Sequence, residues 1–199
     1  MKKIFIFRGI VVAILLIVAV FYLKPNKLTK VEPSPIPTTF EPSPEFLQGG
    51  SSYSDPDAVY TFLYPNDYVI DNKDPLQVRV YKKGPTQKGQ TEMYDGVIVN
   101  FGKVKLNGEP LSKWVDDSIS EATANGTSEV VKSKNAIIFN NYPGFTYSLR
   151  GLGVFEYTVL QKDNSSDNGI VITTLVADPT NAGFQKQVDD IISSLQILR

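Results

Sequence analysis

An uncharged apolar run close to the N-terminus leaves few structures open to the first part of this chain. The run covers residues 9–23 and follows a short basic tail that ends at Arg8. Counted from residue 4 to residue 23, the segment has about the 20 residues that a membrane-spanning helix needs. Basic flanks tend to stay in the cytoplasm. The sequence therefore predicts one N-terminal membrane anchor over residues 1–24, with the N-terminus inside and the remaining chain outside the cytoplasm.

Two other interpretations of this run stay open. A cleaved signal peptide has an apolar stretch of about 7–15 residues and then small residues at its cleavage site. Residues 20–25 read Val-Phe-Tyr-Leu-Lys-Pro, and these bulky side chains favour an uncleaved anchor. A buried core helix would need a packing neighbour, which the next segment does not offer. The orientation rests on the short tail, because Lys24, Lys27 and Lys30 nearly balance the charges before the run.

A proline-rich segment over residues 25–52 separates the anchor from the rest of the chain. Its prolines are Pro25, Pro33, Pro35, Pro37, Pro42 and Pro44, and Gly-Gly-Ser-Ser closes it. Proline lacks a backbone donor and holds the preceding residue in extended conformations. Such a segment forms a semi-rigid spacer with a rise of about 3.1 Å per residue, or roughly 85 Å over its length. A Pro-x-Pro docking motif for a partner domain is the alternative interpretation.

The remaining residues, 53–199, form the predicted globular head, and their composition excludes several kinds of chemistry. The chain has no Cys and no His, so it lacks thiolate nucleophiles, the usual base near neutral pH and the commonest metal ligand. A head of 147 residues buries enough surface to fold without disulfides. It has 14 basic and 18 acidic residues, whereas binding to nucleic acid needs a basic face. We therefore expect no nucleic-acid partner.

Hydrophobic periodicity predicts a mixed fold for the head. Alternating and β-branched apolar residues predict strands over 58–64, 76–81, 96–106, 128–139, 145–150, 152–162 and 170–176. Helical spacing of Leu111, Trp114 and Val115 predicts a first helix, which ends before Asn125-Gly126. A second helix is predicted over 180–198, with Asp178 as its cap. Strands joined by short turns predict a mainly antiparallel sheet packed between helices, which is an α+β layer fold.

Several short motifs resemble those of PsbP-like domains. They are the segment Tyr60–Tyr68 that contains Tyr-Pro, the helix with Trp114, the hairpin Tyr142-Pro-Gly144 and the closing helix over 184–195. The resemblance covers most of the head and implies an α-β-α sandwich with a binding role. The best-known members are extrinsic subunits of photosystem II that help to retain calcium, and many bacterial relatives are membrane-attached. The family commonly has Trp where this chain has Tyr68, and no residue here carries a calcium function over.

Carboxylates and amides supply the candidate metal ligands of the head. Asp116, Asp117 and Glu121 lie on the first predicted helix, and Asp117 and Glu121 share a face at i, i+4. The loop 163–168 adds oxygen donors from Asp163, Asn164, Ser165, Asp167 and Asn168. Calcium takes about six to eight oxygens, which neither group supplies. The simpler interpretation of the helix carboxylates is a solvated helix face, and that of the loop is a hairpin turn. We expect no cofactor and at most weak, millimolar calcium binding. The residues of a metal site stay undetermined.

Serine and lysine are neighbours at Ser112-Lys113 and at Ser133-Lys134. A catalytic Ser/Lys pair needs the lysine desolvated beside the nucleophile, and adjacent positions on an amphipathic element do not point the same way. Trp114 is a candidate for lining a ligand groove, but its place in the apolar stripe of the helix favours a role in the core. The sequence thus predicts no catalytic and no cofactor-binding residue.

Together these features predict a membrane-tethered, extracytoplasmic binding or accessory module that is not an enzyme. Its expected partner, besides the membrane, is a protein complex or a small-molecule ligand. Two alternatives stay open. A carboxylate-only hydrolase needs two carboxylates that converge in one cleft. A structural component of the cell envelope needs an exposed apolar patch or strand edge.

Overall fold

The computed structural model of the chain describes residues 36–38, 42, 46, 49–89 and 92–198. The described strands are β1 (Ile36–Thr38), β2 (Gly50–Ser54), β3 (Tyr60–Pro65), β4 (Val69–Asp71), β5 (Gln77–Lys83), β6 (Gly96–Lys105), β7 (Glu129–Phe139), β8 (Tyr142–Arg150), β9 (Val154–Gln161), β10 (Asn168–Ala177) and β11 (Gln196–Ile197). The described helices are α1 (Leu111–Thr123) and α2 (Phe184–Ser193). The predicted anchor over residues 1–24 lies outside the described residues. Within the described part of the chain, no helix is long and apolar enough to cross a membrane.

These strands form two sheets. The large sheet has the order β1-β7-β8-β9-β10-β6-β5-β4, and the small sheet has the order β11-β3-β2. Among the described strands, neighbours run antiparallel except β1 and β7, which run parallel. The prediction of an α+β fold with a mainly antiparallel sheet and two helices is confirmed.

Residues with left-handed backbone conformation form two of the connections. Asn140 and Asn141 have φ angles of 47° and 67° and join β7 to β8. Asparagine tolerates this conformation, and two such residues in a row match the twist of a two-residue hairpin. Asn107 and Gly108, with φ angles of 53° and 78°, form the connection between β6 and α1. The turn that was predicted at Asn107-Gly108 is therefore confirmed.

The first predicted helix is confirmed, whereas the second is shorter than predicted. α2 begins at Phe184, because the Asp178 carboxylate accepts hydrogen bonds from the three N–H groups of residues 182–184 and shapes the segment before the helix into a turn. The helix ends at Ser193, after which β11 pairs with β3. The prediction of one continuous helix over 180–198 is therefore wrong at both ends.

Part of the predicted spacer belongs to the sheets. β1 lies within residues 25–52 and pairs with β7, and β2 begins at Gly50. Phe46 packs against the larger core. For these residues the structure differs from the predicted free spacer, because backbone groups and an aromatic ring find partners in the folded part of the chain. The division into anchor (1–24), spacer (25–52) and head (53–199) otherwise stays a prediction.

Two cores lie on opposite faces of the large sheet. The larger core is enclosed by that sheet, α2 and the small sheet, and its most deeply buried side chains include Tyr60, Phe62, Phe101, Leu160, Ile170, Ile172, Phe184 and Ile191. The second core lies under α1 and contains Leu106, Leu111, Val115, Tyr147, Leu149 and Val159. Successive strand residues point to opposite faces, so the neighbours Val159 and Leu160 belong to different cores.

The length of α2 determines which part of the large sheet it covers. A helix of ten residues is about 15 Å long, whereas the eight strands of the large sheet span roughly 34 Å at their usual spacing. α2 packs against β3, β6 and β10. Beyond the core residues Ile137, Phe139 and Leu160, the helix leaves open the part of this sheet face that carries Asn135, Thr146 and Glu156.

Candidate functional site

The part of this sheet face that the larger core leaves open, on β7, β8, β9 and β10, forms the floor of a groove beside α2, which we call the sheet groove. Its floor consists of the polar side chains Asn135, Thr146, Glu156, Thr158 and Thr174. Its wall is the side of α2 that carries Gln185, Val188, Asp189 and Ile192, and its apolar end is formed by Ile137 and Phe139. The cavity has a volume of about 370 Å³, within the range of about 300–1,000 Å³ that is typical of ligand sites.

Strand register brings the polar floor together. Asn135 lies opposite Thr146, which lies opposite Thr158, so these three residues form a row across three strands. In the next row, Glu156 lies opposite Thr174 of β10. Directly opposed residues share a face, with Cβ atoms about 4.5–5.5 Å apart. Four strands thus present hydrogen-bonding groups to one space.

The amide and hydroxyl groups of this floor have no hydrogen-bond partner in the described part of the protein. The side chains of Asn135, Thr146, Thr158 and Thr174 make no hydrogen bond to any residue that the structure describes. Thr174 is the most enclosed of them, with an exposed fraction of 8%. Asn135 and Glu156 are exposed and Thr146 and Thr158 are half-buried, so water reaches this floor in the free protein. The floor therefore offers donors and acceptors that a bound ligand can satisfy.

Two carboxylates give the groove a net negative charge. Glu156 forms an ion pair with Lys132, and Asp189 accepts a hydrogen bond from Gln185 at 3.0 Å. The pairing of β7 with β8 is irregular between Val130 and Asn135, and a second cavity of about 300 Å³ adjoins this region. The two cavities share most of the polar floor, and their charged lining residues are the two acids and Lys132. The site is therefore elongated, mixed in polarity and acidic.

The carboxylates predicted on the first helix form ion pairs at the surface. Lys113 pairs with Asp117, and Lys134 pairs with Asp116 at 2.7 Å. Glu121 is exposed. Among the described residues, no group of three or more acidic side chains is placed to hold a metal ion. The calcium that the PsbP resemblance implies therefore finds no fitting set of ligands on α1.

The loop 163–168 joins β9 to β10 and is held by its own hydrogen bonds. The hydroxyl and N–H of Ser165 donate to Asp163 at 2.6 and 2.9 Å, and these bonds hold the pKa of the Asp163 carboxyl below its ordinary value. Asp167 accepts a hydrogen bond from the N–H of Gly108 at 2.7 Å, which ties the loop to the turn before α1. The interpretation as a hairpin turn is confirmed.

The structure pairs serine with lysine across the fold and not along the chain. Lys134 Nζ donates to Ser112 Oγ at 2.9 Å and lies 5.1 Å from the ring centroid of Phe145. Because Lys134 also forms the ion pair with Asp116, it links α1 to β7 as a cation, whereas a serine nucleophile needs an uncharged amine as its base. Sequence neighbours did not reveal this contact between residues 22 positions apart. Trp114 packs against the second core, as predicted.

Sequence analysis did not find the sheet groove, although a signal was present. On three strands a polar residue stands two positions from a buried one: Asn135 before Ile137, Thr158 before Leu160 and Thr174 after Ile172. Residues two apart share a face of the sheet, so each pair marks a point where a core face turns polar. Strand register is needed to show that these points meet.

Comparison with known proteins finds similarity at the level of structure. The chain is similar to cyanobacterial PsbP of Synechocystis sp. PCC 6803, with 14% identity and a TM-score of 0.46 over 75% of this chain and 92% of that one. It is also similar to the Ran-binding protein Mog1p of Saccharomyces cerevisiae (8% identity, TM-score 0.46, 75% of this chain and 96% of that one). A protein of Bacteroides thetaiotaomicron shares 11% identity, with a TM-score of 0.43 over 76% of this chain and 49% of that one.

The first of these three proteins carries the name of the family that the sequence motifs resemble. Likenesses with TM-scores below 0.5 carry no conclusion about the function of this chain. No family model matches the sequence, and no curated protein matches it.

Proposed function

We propose that this protein is a membrane-tethered, extracytoplasmic module that binds a protein complex or a small ligand through the sheet groove, without catalysis. The observation that carries the proposal is the set of polar side chains on the floor of the cavity that have no hydrogen-bond partner among the described residues. One of these residues, Thr174, is only 8% exposed, so the cavity reaches a largely buried side chain that carries a hydroxyl.

The groove supports binding better than hydrolysis. A carboxylate-only hydrolase uses two carboxyl groups whose surroundings push their pKa values apart. In the sheet groove, Glu156 is engaged by Lys132 and Asp189 by Gln185. Each acid thus has a neighbouring side chain as its own partner, and the chain contains no histidine to act in their place.

Membrane tethering is proposed from the apolar run over residues 9–23. The full chain should remain in the membrane fraction after a carbonate wash, because about 20 apolar residues favour the hydrocarbon core. A variant without residues 1–24 should move to the soluble fraction. Mature protein that begins near Lys24 and is free in the medium would replace the anchor by a cleaved signal peptide.

Binding at the sheet groove is tested by NMR of the isotope-labelled full chain in detergent micelles. The probes are short acetylated peptide amides with acidic, neutral or basic side chains. At least one class should shift the signals of Thr158 and Val188 in the groove more than those of Ala122 on α1, which packs on the opposite face. If no class shifts the groove signals, the groove is not the binding site.

A further inference from the structure

We infer that the sheet groove takes a basic side chain, arginine before lysine, from an exposed segment of a partner protein. The inference rests on the proposed function and specifies the chemistry of the partner. An arginine has an aliphatic stem and a planar cationic head. The groove has a matching apolar part and a matching acidic, oxygen-rich part.

Charge selects a cationic ligand. Glu156 stands on the floor and Asp189 on the wall of the same cavity, so a cation between them has a carboxylate on two sides. Lys132 offsets one of these charges, but it lines the second cavity and not the first. An anionic ligand in the first cavity would face Asp189 and the Glu156–Lys132 ion pair, which together carry a net negative charge.

Hydrogen bonding favours arginine over lysine. A guanidinium has five N–H donors in one plane and no acceptor, so it needs several oxygens that lie side by side. The two floor rows provide hydroxyl and amide oxygens on neighbouring strands, and the pair of Thr174 and Glu156 stands directly opposed. Thr174 is nine-tenths buried, lines the cavity and has no hydrogen-bond partner among the described residues. Its hydroxyl is a ready acceptor for one of these donors.

Shape favours a peptide segment over an isolated cation. The wall residue Ile192, which is only partly buried, offers an apolar surface for the aliphatic stem, and the buried Val188 lies behind it in the larger core. The second cavity continues the groove by about 300 Å³ along the irregular part of β7. One basic side chain fills the first cavity, and the second leaves room for a flanking residue of an extended segment.

The inference is tested by NMR titration of the full chain in detergent micelles with acetyl-Ala-Arg-Ala-amide. The matched probe has citrulline in place of arginine, which keeps the shape but removes the charge. We expect the arginine peptide to bind the groove about fivefold more tightly than the citrulline peptide, as for a partly solvated ion pair. It should also bind more tightly than acetyl-arginine-amide, because only the tripeptide reaches the second cavity.

Two double variants separate the site from general electrostatics. Glu156→Gln with Asp189→Asn should abolish the preference for arginine over citrulline. Asp117→Asn with Glu121→Gln removes the same charge from exposed positions on α1, on the other side of the large sheet, and should leave the preference intact. Thr158→Val should weaken arginine binding without lowering the melting temperature, since its hydroxyl has no partner in the fold.

The possible outcomes distinguish the inference from the proposed function. Equal affinity for arginine and citrulline, equal loss in both double variants, or equal affinity for the tripeptide and the single residue would overturn the inference. If acidic or neutral peptides shift the groove signals and arginine peptides do not, the inference fails while the groove remains the binding site. If no peptide shifts those signals, both fail.

Discussion

Replacing Gly84 by alanine tests how the loop between β5 and β6 is held against the sheet. A Cβ atom at this position would lie 1.9 Å from Oδ1 and 2.2 Å from Cγ of Asp95, whereas real Cβ atoms essentially never approach other atoms closer than 3.0 Å. Asp95 is fully buried. Its Oδ2 accepts hydrogen bonds from the N–H and the hydroxyl of Thr86, both at 2.7 Å. The carboxylate must therefore leave its position before the alanine methyl group fits.

The size of the effect follows from these contacts. Hydrogen bonds to a charged group contribute about 1.5–3 kcal/mol each, and forced repacking costs about 1–3 kcal/mol. Because the loop relaxes in part, we expect Gly84→Ala to lower the free energy of unfolding by about 3–5 kcal/mol. At about 2–4 °C per kcal/mol for a domain of this size, the melting temperature should fall by roughly 10 °C.

Urea and thermal unfolding of the full chain in detergent, followed by circular dichroism, measure this loss. Gly49→Ala is the matched control, because its Cβ meets nothing within 4 Å, and it should stay within about 0.5 kcal/mol of the wild type. Adding Asp95→Ala to Gly84→Ala removes the obstructing carboxylate, so the double variant should lose less than the sum of the two single variants. A single variant within about 1 kcal/mol of the wild type, or strictly additive losses, would refute the reasoning.

Two tyrosines and added calcium give independent tests. Burial, and to a smaller degree Tyr157, raises the pKa of Tyr147 from 10.0 to about 12. The stability that the protonated Tyr147 hydroxyl contributes is therefore complete below pH 10 and is lost as the pH rises through 12. Because phenylalanine does not ionise, Tyr147→Phe should raise the pH midpoint of alkaline unfolding measured by circular dichroism. Tyr68→Phe removes the hydrogen bond donated to Gln187 Oε1 at 2.7 Å and should lower the unfolding free energy in urea by about 1 kcal/mol. Compared with a sample that contains chelator, calcium at about 1–5 mM should raise the free energy of unfolding by less than about 1 kcal/mol. An increase of many degrees in the melting temperature would contradict this and make Asp117 and Asp163 the first residues to mutate.

The elements that sequence analysis found are those whose signal is local. α1 carries its apolar stripe within thirteen residues, and the turn at Asn107-Gly108 is encoded in two adjacent residues. The α+β class follows from the same local patterns, because strands joined by short turns leave few options other than an antiparallel sheet. Each of these signals comes from residues that are close in the chain, and the packing of the folded protein agrees with it.

The elements that were missed depend on distant partners. β11 has two residues, too few for any periodic pattern, and it exists because Gln196 and Ile197 pair with β3. The N-terminal end of α2 was misplaced because Asp178 accepts hydrogen bonds from a turn before the helix and not from its first turn alone. The sheet groove combines residues of four strands and one helix, so its existence depends on register and on the length of α2 together.

A face that α2 leaves uncovered must be polar, but this requirement does not explain Thr174. That residue is 8% exposed, stands two positions from the fully buried Ile172 and has no hydrogen-bond partner among the described residues. Valine has nearly the same shape and would bury there without a hydroxyl that lacks a protein partner. A residue that costs stability in the free protein is expected where a site awaits a ligand. Thr174→Val should therefore raise the unfolding free energy by about 1 kcal/mol in urea while it weakens binding of the arginine peptide. A loss of stability would show that the hydroxyl serves the fold and not the groove.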